Sequence, residues 1–159
     1  MRFTFSKSFT MALATGDKAP DFSLVADNGK PFKLSSKIKN KVLLVFYPGD
    51  GTPVCNKQMS DYQDSEQVFS DLGVDVIAIS GNAPKDQASF KKDLGLSFTM
   101  LSDSDGAVAK QYDSFGWFGI KRAIYLLDKD MEVKYKHVEP VSIYSRSVEE
   151  LSEMIKRKS

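Results

Sequence analysis

Lys41-Val-Leu-Leu-Val-Phe-Tyr-Pro-Gly-Asp-Gly-Thr-Pro-Val-Cys-Asn-Lys-Gln-Met59 joins two kinds of hydrophobic pattern and carries the only cysteine of the chain. Its first part, Lys41 to Tyr47, is a short, partly β-branched apolar run of the kind that becomes a strand buried on both faces. From the cysteine onward, Cys55, Met59, Tyr62, Phe69 and Leu72 recur at spacings of three, four and seven, which is one face of a helix. The thiol is therefore expected in the first turn of a helix. There, backbone N–H groups without an intrahelical acceptor and the positive end of the dipole favour an anion.

Downstream, Leu72-Gly73 should close that helix with a glycine cap, and Val74-Asp-Val-Ile-Ala-Ile79 is a second β-branched run. Strand, helix, strand is a βαβ unit, which makes the two strands parallel and the crossover right-handed. Pro84 opens a further helix closed by Gly95, Phe98 to Leu101 is short and extended, and Asp105 to Tyr112 suggests a brief helix. Arg122 to Leu127 and Val133 to His137 flank the turn Asp128-Lys-Asp130 and predict an antiparallel hairpin. In the last helix, Ser147 and Glu150 form a capping-box pattern, and Val148, Leu151, Met154 and Ile155 make its apolar stripe.

Upstream, Asp21 to Val25, the turn signal Asn28-Gly29 and Pro31 to Leu34 read as a hairpin, followed by a polar stretch from Ser35 to Asn40. Without this front hairpin the order is strand, helix, strand, helix, two antiparallel strands and a final helix. That is the order of a thioredoxin-like α/β fold, here with an N-terminal β-hairpin extension. Residues 1–15 read as a flexible extension and 16–159 as a single domain.

Composition narrows the function classes. The 22 basic and 21 acidic residues nearly cancel, so the overall charge argues for no nucleic acid and no anionic membrane. No apolar run approaches the ~20 residues of a membrane helix. The opening Met1 to Thr10 lacks the apolar core of a secretory signal, with Met11 a plausible alternative start. One cysteine excludes an internal disulfide and any multi-thiolate metal site, and it fits a reducing compartment, read as the cytoplasm. One histidine, His137, makes a histidine-rich metal centre equally poor, so no metal and no cofactor is expected.

The chemistry open to Cys55 follows from the parts each reaction needs. Thiol–disulfide exchange of the thioredoxin kind requires Cys-x-x-Cys, and Gln58 stands where the second thiol belongs. A cysteine hydrolase requires a base, but His137 reads as an exposed residue of a lysine-rich hairpin. Gly49-x-Gly51 lacks the spacing and the Lys-Ser/Thr of a phosphate-binding loop. A thiolate chemistry without a second cysteine or a histidine remains, and peroxide reduction leads it. The segment Ser114-Phe-Gly-Trp-Phe-Gly119 reads as aromatic core packing, with a border of the active site or a subunit contact as the alternative.

Pro48-Gly-Asp-Gly-Thr52-Pro-Val-Cys55 resembles the Pro-x-x-x-Thr-x-x-Cys motif of the peroxiredoxins. The resemblance extends to Gly16-Asp-Lys-Ala-Pro-Asp-Phe22, Leu101-Ser-Asp103 and Arg122, covers about residues 16 to 158, and is closest to the bacterioferritin-comigratory-protein or peroxiredoxin Q branch. It implies a thiol-dependent peroxidase for hydrogen peroxide and organic hydroperoxides, with Cys55 as the peroxidatic nucleophile that becomes a sulfenic acid. Thr52 is then the hydroxyl that binds peroxide and thiolate, and Arg122 the active-site cation. Pro48, after Tyr47 in the motif's aromatic lead-in, shields the thiolate from water. The backbone N–H groups at Val54 and Cys55 are donors for the developing charge, and Gln58 fixes the arginine.

The chain departs from that branch at two places. Many relatives carry a resolving cysteine five residues after the peroxidatic one, and this chain has Ser60 there. It reads as a single-cysteine form or as a Cys→Ser variant of a two-cysteine enzyme. In either case an external thiol, such as thioredoxin or glutaredoxin, must complete the cycle. Gln63 stands where relatives often carry arginine. The expected assembly is a monomer or weak homodimer. The contrasting reading is a non-catalytic thioredoxin-like binding or chaperone module with a structural cysteine.

Overall fold

In the computed structural model, which describes residues 13–49, 53–117, 119–138 and 148–158, the front of the chain forms the predicted hairpin. Strand β1 (Ser23–Ala26) pairs antiparallel with β2 (Pro31–Lys33) across Asn28-Gly29. The one-turn helix α1 (Leu34–Lys37) leads into β3 (Lys41–Phe46), then α2 (Pro53–Asp64), α3 (Glu66–Asp71) and β4 (Val74–Ser80). Helix α4 (Pro84–Leu94), β5 (Thr99–Ser102), α5 (Ala107–Gln111), the small hairpin β6 (Phe115–Gly116) and β7 (Gly119–Ile120), β8 (Ala123–Leu127), β9 (Val133–Val138) and α6 (Val148–Lys158) complete the order.

The main sheet runs β2-β1-β5-β4-β3-β8-β9. Its centre is parallel, β3 to β4 and β4 to β5, while β8 is antiparallel to β3 and β9 to β8. The apolar run at Lys41 is continuous because helices cover both faces of β3. Alternation sends Val42, Leu44 and Phe46 to one side, where they pack with Leu34, Ala109 and Tyr112 of α1, α5 and the residue after α5. Leu43 and Val45 point to the other side, against Met59, Tyr62, Phe69, Phe90, Leu151 and Ile155 of α2, α3, α4 and α6.

Several expectations change. The single helix read from Cys55 to Leu72 is two helices, broken at Ser65, whose φ of −108° and ψ of 20° leave the helical region. The break has a tertiary cause: Gln63 Oε1 accepts from Ser97 N at 2.8 Å and from Ser97 Oγ at 3.2 Å, and Glu66 accepts from the same hydroxyl, so both flanks of the junction are drawn to one residue. The polar stretch after Pro31–Leu34 contains α1, seated by buried Leu34. The short extended segment at Phe98 is a third parallel strand, β5, reached from β4 through α4.

Leu13 lies within the stretch read as an extension. Leu13 is buried, its N–H donates to Asp113 Oδ2 at 2.5 Å, and its carbonyl accepts from Lys136 Nζ at 2.5 Å. His137 is half-buried on β9, paired in register with Ile124, rather than exposed. Trp117 and Phe115 are exposed at the β6–β7 hairpin rather than packed in the core as expected, and Phe118 lies outside the described residues. Ser147 of the capping box and residues 1–12 lie outside the described residues.

Candidate active site

Cys55 is the third residue of α2, behind Pro53 at a position where a missing N–H breaks no intrahelical bond. Its side chain belongs to the α2-side core with Val45, Tyr47 and Met59. The antiparallel register of β8 on β3 pairs Ala123 with Phe46, so Arg122 comes level with Tyr47, where the chain leaves β3 for the cysteine turn. The sheet thus carries a residue from the second half of the chain to the start of α2.

Arg122 Nη2 donates to Cys55 Sγ at 2.8 Å, and Arg122 Nη1 donates to Gln58 Oε1. Gln58 is one turn beyond Cys55, on the same helix face, and its Nε2 donates to Tyr62 Oη at 3.2 Å, one further turn along. Cys55, Arg122 and Gln58 are 0%, 2% and 3% exposed. A guanidinium that deep needs a compensating anion, because desolvation of an unpaired charge is expensive. Gln58 is uncharged, and burial pushes the Tyr62 phenol well above its ordinary range, a push only partly offset by the Gln58 hydrogen bond and the Arg122 charge. Among the described contacts, Cys55 Sγ and Gln58 Oε1 face the guanidinium directly, and a thiolate at that sulfur would make a charge-assisted bond.

The structure brings Cys55, Gln58 and Arg122 together. Tyr47 is buried just past the end of β3, its N–H donating to Ile79 O at 3.1 Å, and Pro48 after it is exposed. Val54 lies in the first turn of α2. Ser60 is half-buried on α2. Thr52 lies outside the described residues.

Two contributions carry no assigned role in the sequence reading. Tyr62 enters that reading only as an apolar position, although its spacing of four from Gln58 is the signal for a helical side-chain pair. Asp103 is buried and accepts from Val108 N at 3.2 Å and Ala109 N at 2.8 Å, which caps α5 beneath the hairpin leading to Arg122. A cavity of about 740 Å³, lined by Tyr62, Phe69 and Phe98 among others, includes neither Cys55 nor Arg122 in its wall. Among the described residues no helix is long and apolar enough to cross a membrane, and no cluster of three His, Cys, Asp or Glu is placed to hold a metal.

The chain as a whole has counterparts among known proteins. The AhpC/TSA family model matches residues 15–136. A putative peroxiredoxin Bcp of Coxiella burnetii is 38% identical over 128 residues, which span 76% of this chain and 85% of that protein. The chain belongs to the peroxiredoxin family. As a member it is a thiol-dependent peroxidase, with the Bcp and peroxiredoxin Q proteins among its relatives. A chloroplastic peroxiredoxin Q of Arabidopsis thaliana is 40% identical over 119 residues, 72% of this chain and 55% of that one. The crystal structure of peroxidoxin BcpB from Mycobacterium tuberculosis superposes with a TM-score of 0.82 at 28% identity, covering 90% of this peroxiredoxin and 96% of that chain. The fold is the thioredoxin-like fold of the family, with the β1–β2 hairpin at one edge of the main sheet.

Proposed function

We propose that Cys55 is the peroxidatic residue of a single-cysteine cycle. The observation that carries this is the 2.8 Å contact from Arg122 Nη2 to Cys55 Sγ, with Gln58 holding the other guanidinium nitrogen. The thiolate attacks one oxygen of hydrogen peroxide or an organic hydroperoxide in line with the O–O bond. An S–O bond forms, the O–O bond breaks, and the leaving oxygen takes a proton to become water or an alcohol. Sulfur is oxidised by two electrons and the peroxide is reduced by two.

Negative charge shifts from sulfur to the leaving oxygen during that step. Arg122 faces it with a fixed fork of donors, and the Thr52 hydroxyl and the N–H groups of Val54 and Cys55 supply the remaining donors of a preorganised site. Tyr47, buried just past β3, keeps water from the β3 side of the site, whereas Pro48 is exposed. Ser60 cannot form a disulfide, so an external thiolate attacks the sulfenic sulfur and expels water. A second thiol, from a donor such as thioredoxin or glutaredoxin, then releases Cys55 and leaves the donor as a disulfide.

Cytoplasmic location is supported by the lone cysteine, and the assembly we propose is a monomer or weak homodimer. A non-catalytic module would leave the buried arginine at the sulfur without a purpose. Mass spectrometry after one equivalent of hydrogen peroxide tests the reading. The expected result is one added oxygen, trapped by dimedone on Cys55; an unchanged mass overturns it.

A further inference from the structure

We propose that Asn82 is a positioning residue for the peroxide-binding turn, held in place by a buried relay from α4; the inference rests on the peroxidase reading of Cys55. The turn from Tyr47 to α2 leaves β3 beside the end of β4. A Cβ built on Gly49 would lie 3.4 Å from Asn82 Oδ1, so the Asn82 side chain backs directly onto the turn. Asn82 is itself fixed from behind. Its Oδ1 accepts from Ser80 Oγ at 3.2 Å, and its carbonyl accepts from Ser102 Oγ at 2.7 Å.

Ser80 Oγ in turn accepts from Gln87 Nε2 at 3.0 Å, and the same nitrogen donates to Leu101 O at 2.7 Å. Gln87 and Ser80 are both fully buried. The amide oxygen of Gln87, Oε1, has no hydrogen-bond partner among the described residues. An apolar side chain would fill the position but make neither Nε2 bond; the amide is directional. Its two Nε2 bonds tie the end of β4 to β5, and through Ser80 they orient Asn82 against Gly49. In-line attack on an O–O bond tolerates little displacement, so the position of this turn decides how well a peroxide is aligned on the sulfur.

The test compares two reactions of the same thiol. Peroxide oxidation needs the turn to align an O–O bond, whereas alkylation by iodoacetamide needs only the thiolate and access. In N82A the ratio of the hydrogen peroxide rate constant to the iodoacetamide rate constant falls ~10- to 100-fold. Q87M, which keeps the side chain's length and removes the amide, shifts the ratio in the same direction by less. An unchanged ratio in both variants overturns the proposal. That outcome includes an equal fall of both rates, which marks general loosening. If the wild type consumes peroxide no faster than C55S does, the peroxidase reading fails first and the proposal with it.

Discussion

Arg122 Nη2 lies 2.8 Å from Cys55 Sγ across a separation of 67 residues. Neither residue lies in the other's local segment. The antiparallel docking of β8 on β3 makes the contact, and the packing of α2 on the same sheet turns the cysteine toward it.

Replacing Arg122 with methionine keeps a long, flexible side chain and removes the charge and the fork. The second-order rate with hydrogen peroxide is expected to fall ~10²- to 10³-fold, the usual effect of deleting a preorganised donor. R122K keeps the charge without the planar fork and should fall between. Single-turnover oxidation of Cys55, followed by trapping the remaining thiol, reads both. Wild-type rates in R122M would remove the arginine from the mechanism.

Gln58 and Tyr62 separate positioning from stability. Q58L deprives Arg122 Nη1 of its acceptor and frees the guanidinium to tilt, so the peroxide rate should fall by roughly tenfold. Y62F removes only the acceptor of Gln58 Nε2. It is expected to destabilise the protein by ~1–3 kcal/mol through the buried donor it strands, with little change in rate. Denaturant titration and the oxidation assay on the same two samples check this division, and a larger rate loss in Y62F than in Q58L would contradict it.

Ser60 lies five residues beyond Cys55 on one continuous helix, which puts the two positions ~7.5 Å apart along the axis alone. A disulfide needs Cα atoms within about 7 Å, so S60C cannot bridge to Cys55 while α2 is intact. After one equivalent of peroxide, S60C should lose two hydrogens relative to its reduced form and lose helical circular dichroism in the same time course. Formation of the bond with full retention of helix would show that the described α2 is not the reacting conformation.

Burial pushes the phenols of Tyr62, Tyr112 and Tyr125 above their ordinary value of 10.0. The unfolded chain therefore releases these protons at a lower pH than the folded one. Their contribution to stability is complete below about pH 10 and is lost as pH rises from there toward the folded values. The urea midpoint should be insensitive to these groups between about pH 7 and 9 and fall steadily above about 10, with tyrosinate absorbance rising together with unfolding. Full tyrosine ionisation at about pH 11 without loss of structure would contradict the burial argument.

Much of the architecture was legible from periodicity. The β3 and β4 runs, Pro84 opening α4 and Gly95 closing it with a φ of 66°, and the β8–β9 turn are local signals, and local chemistry was enough for them. The break between α2 and α3 was not, because the apolar spacing from Cys55 to Leu72 stays in phase across Ser65, while the pull comes from Ser97 over thirty residues away. The fate of Trp117 was equally hidden. An aromatic flanked by glycines reads as core until the β6–β7 hairpin turns its tip outward, leaving Phe115 against Gly106 and under the Lys110 ammonium.

The sequence by itself determined that one cysteine opens a helix after a buried strand, that no second thiol lies on the chain, and that an external donor must finish any redox cycle begun there. These are statements about residue identity and nearest-neighbour patterns, which no folding can alter. The resemblance named Arg122 and Gln58, but only the tertiary structure decided that the guanidinium meets the sulfur and that Gln58 holds it there. A guanidinium can be buried only where several partners converge, and convergence of Cys55, Gln58 and Arg122 depends on strand register and helix packing between segments that the linear sequence keeps apart.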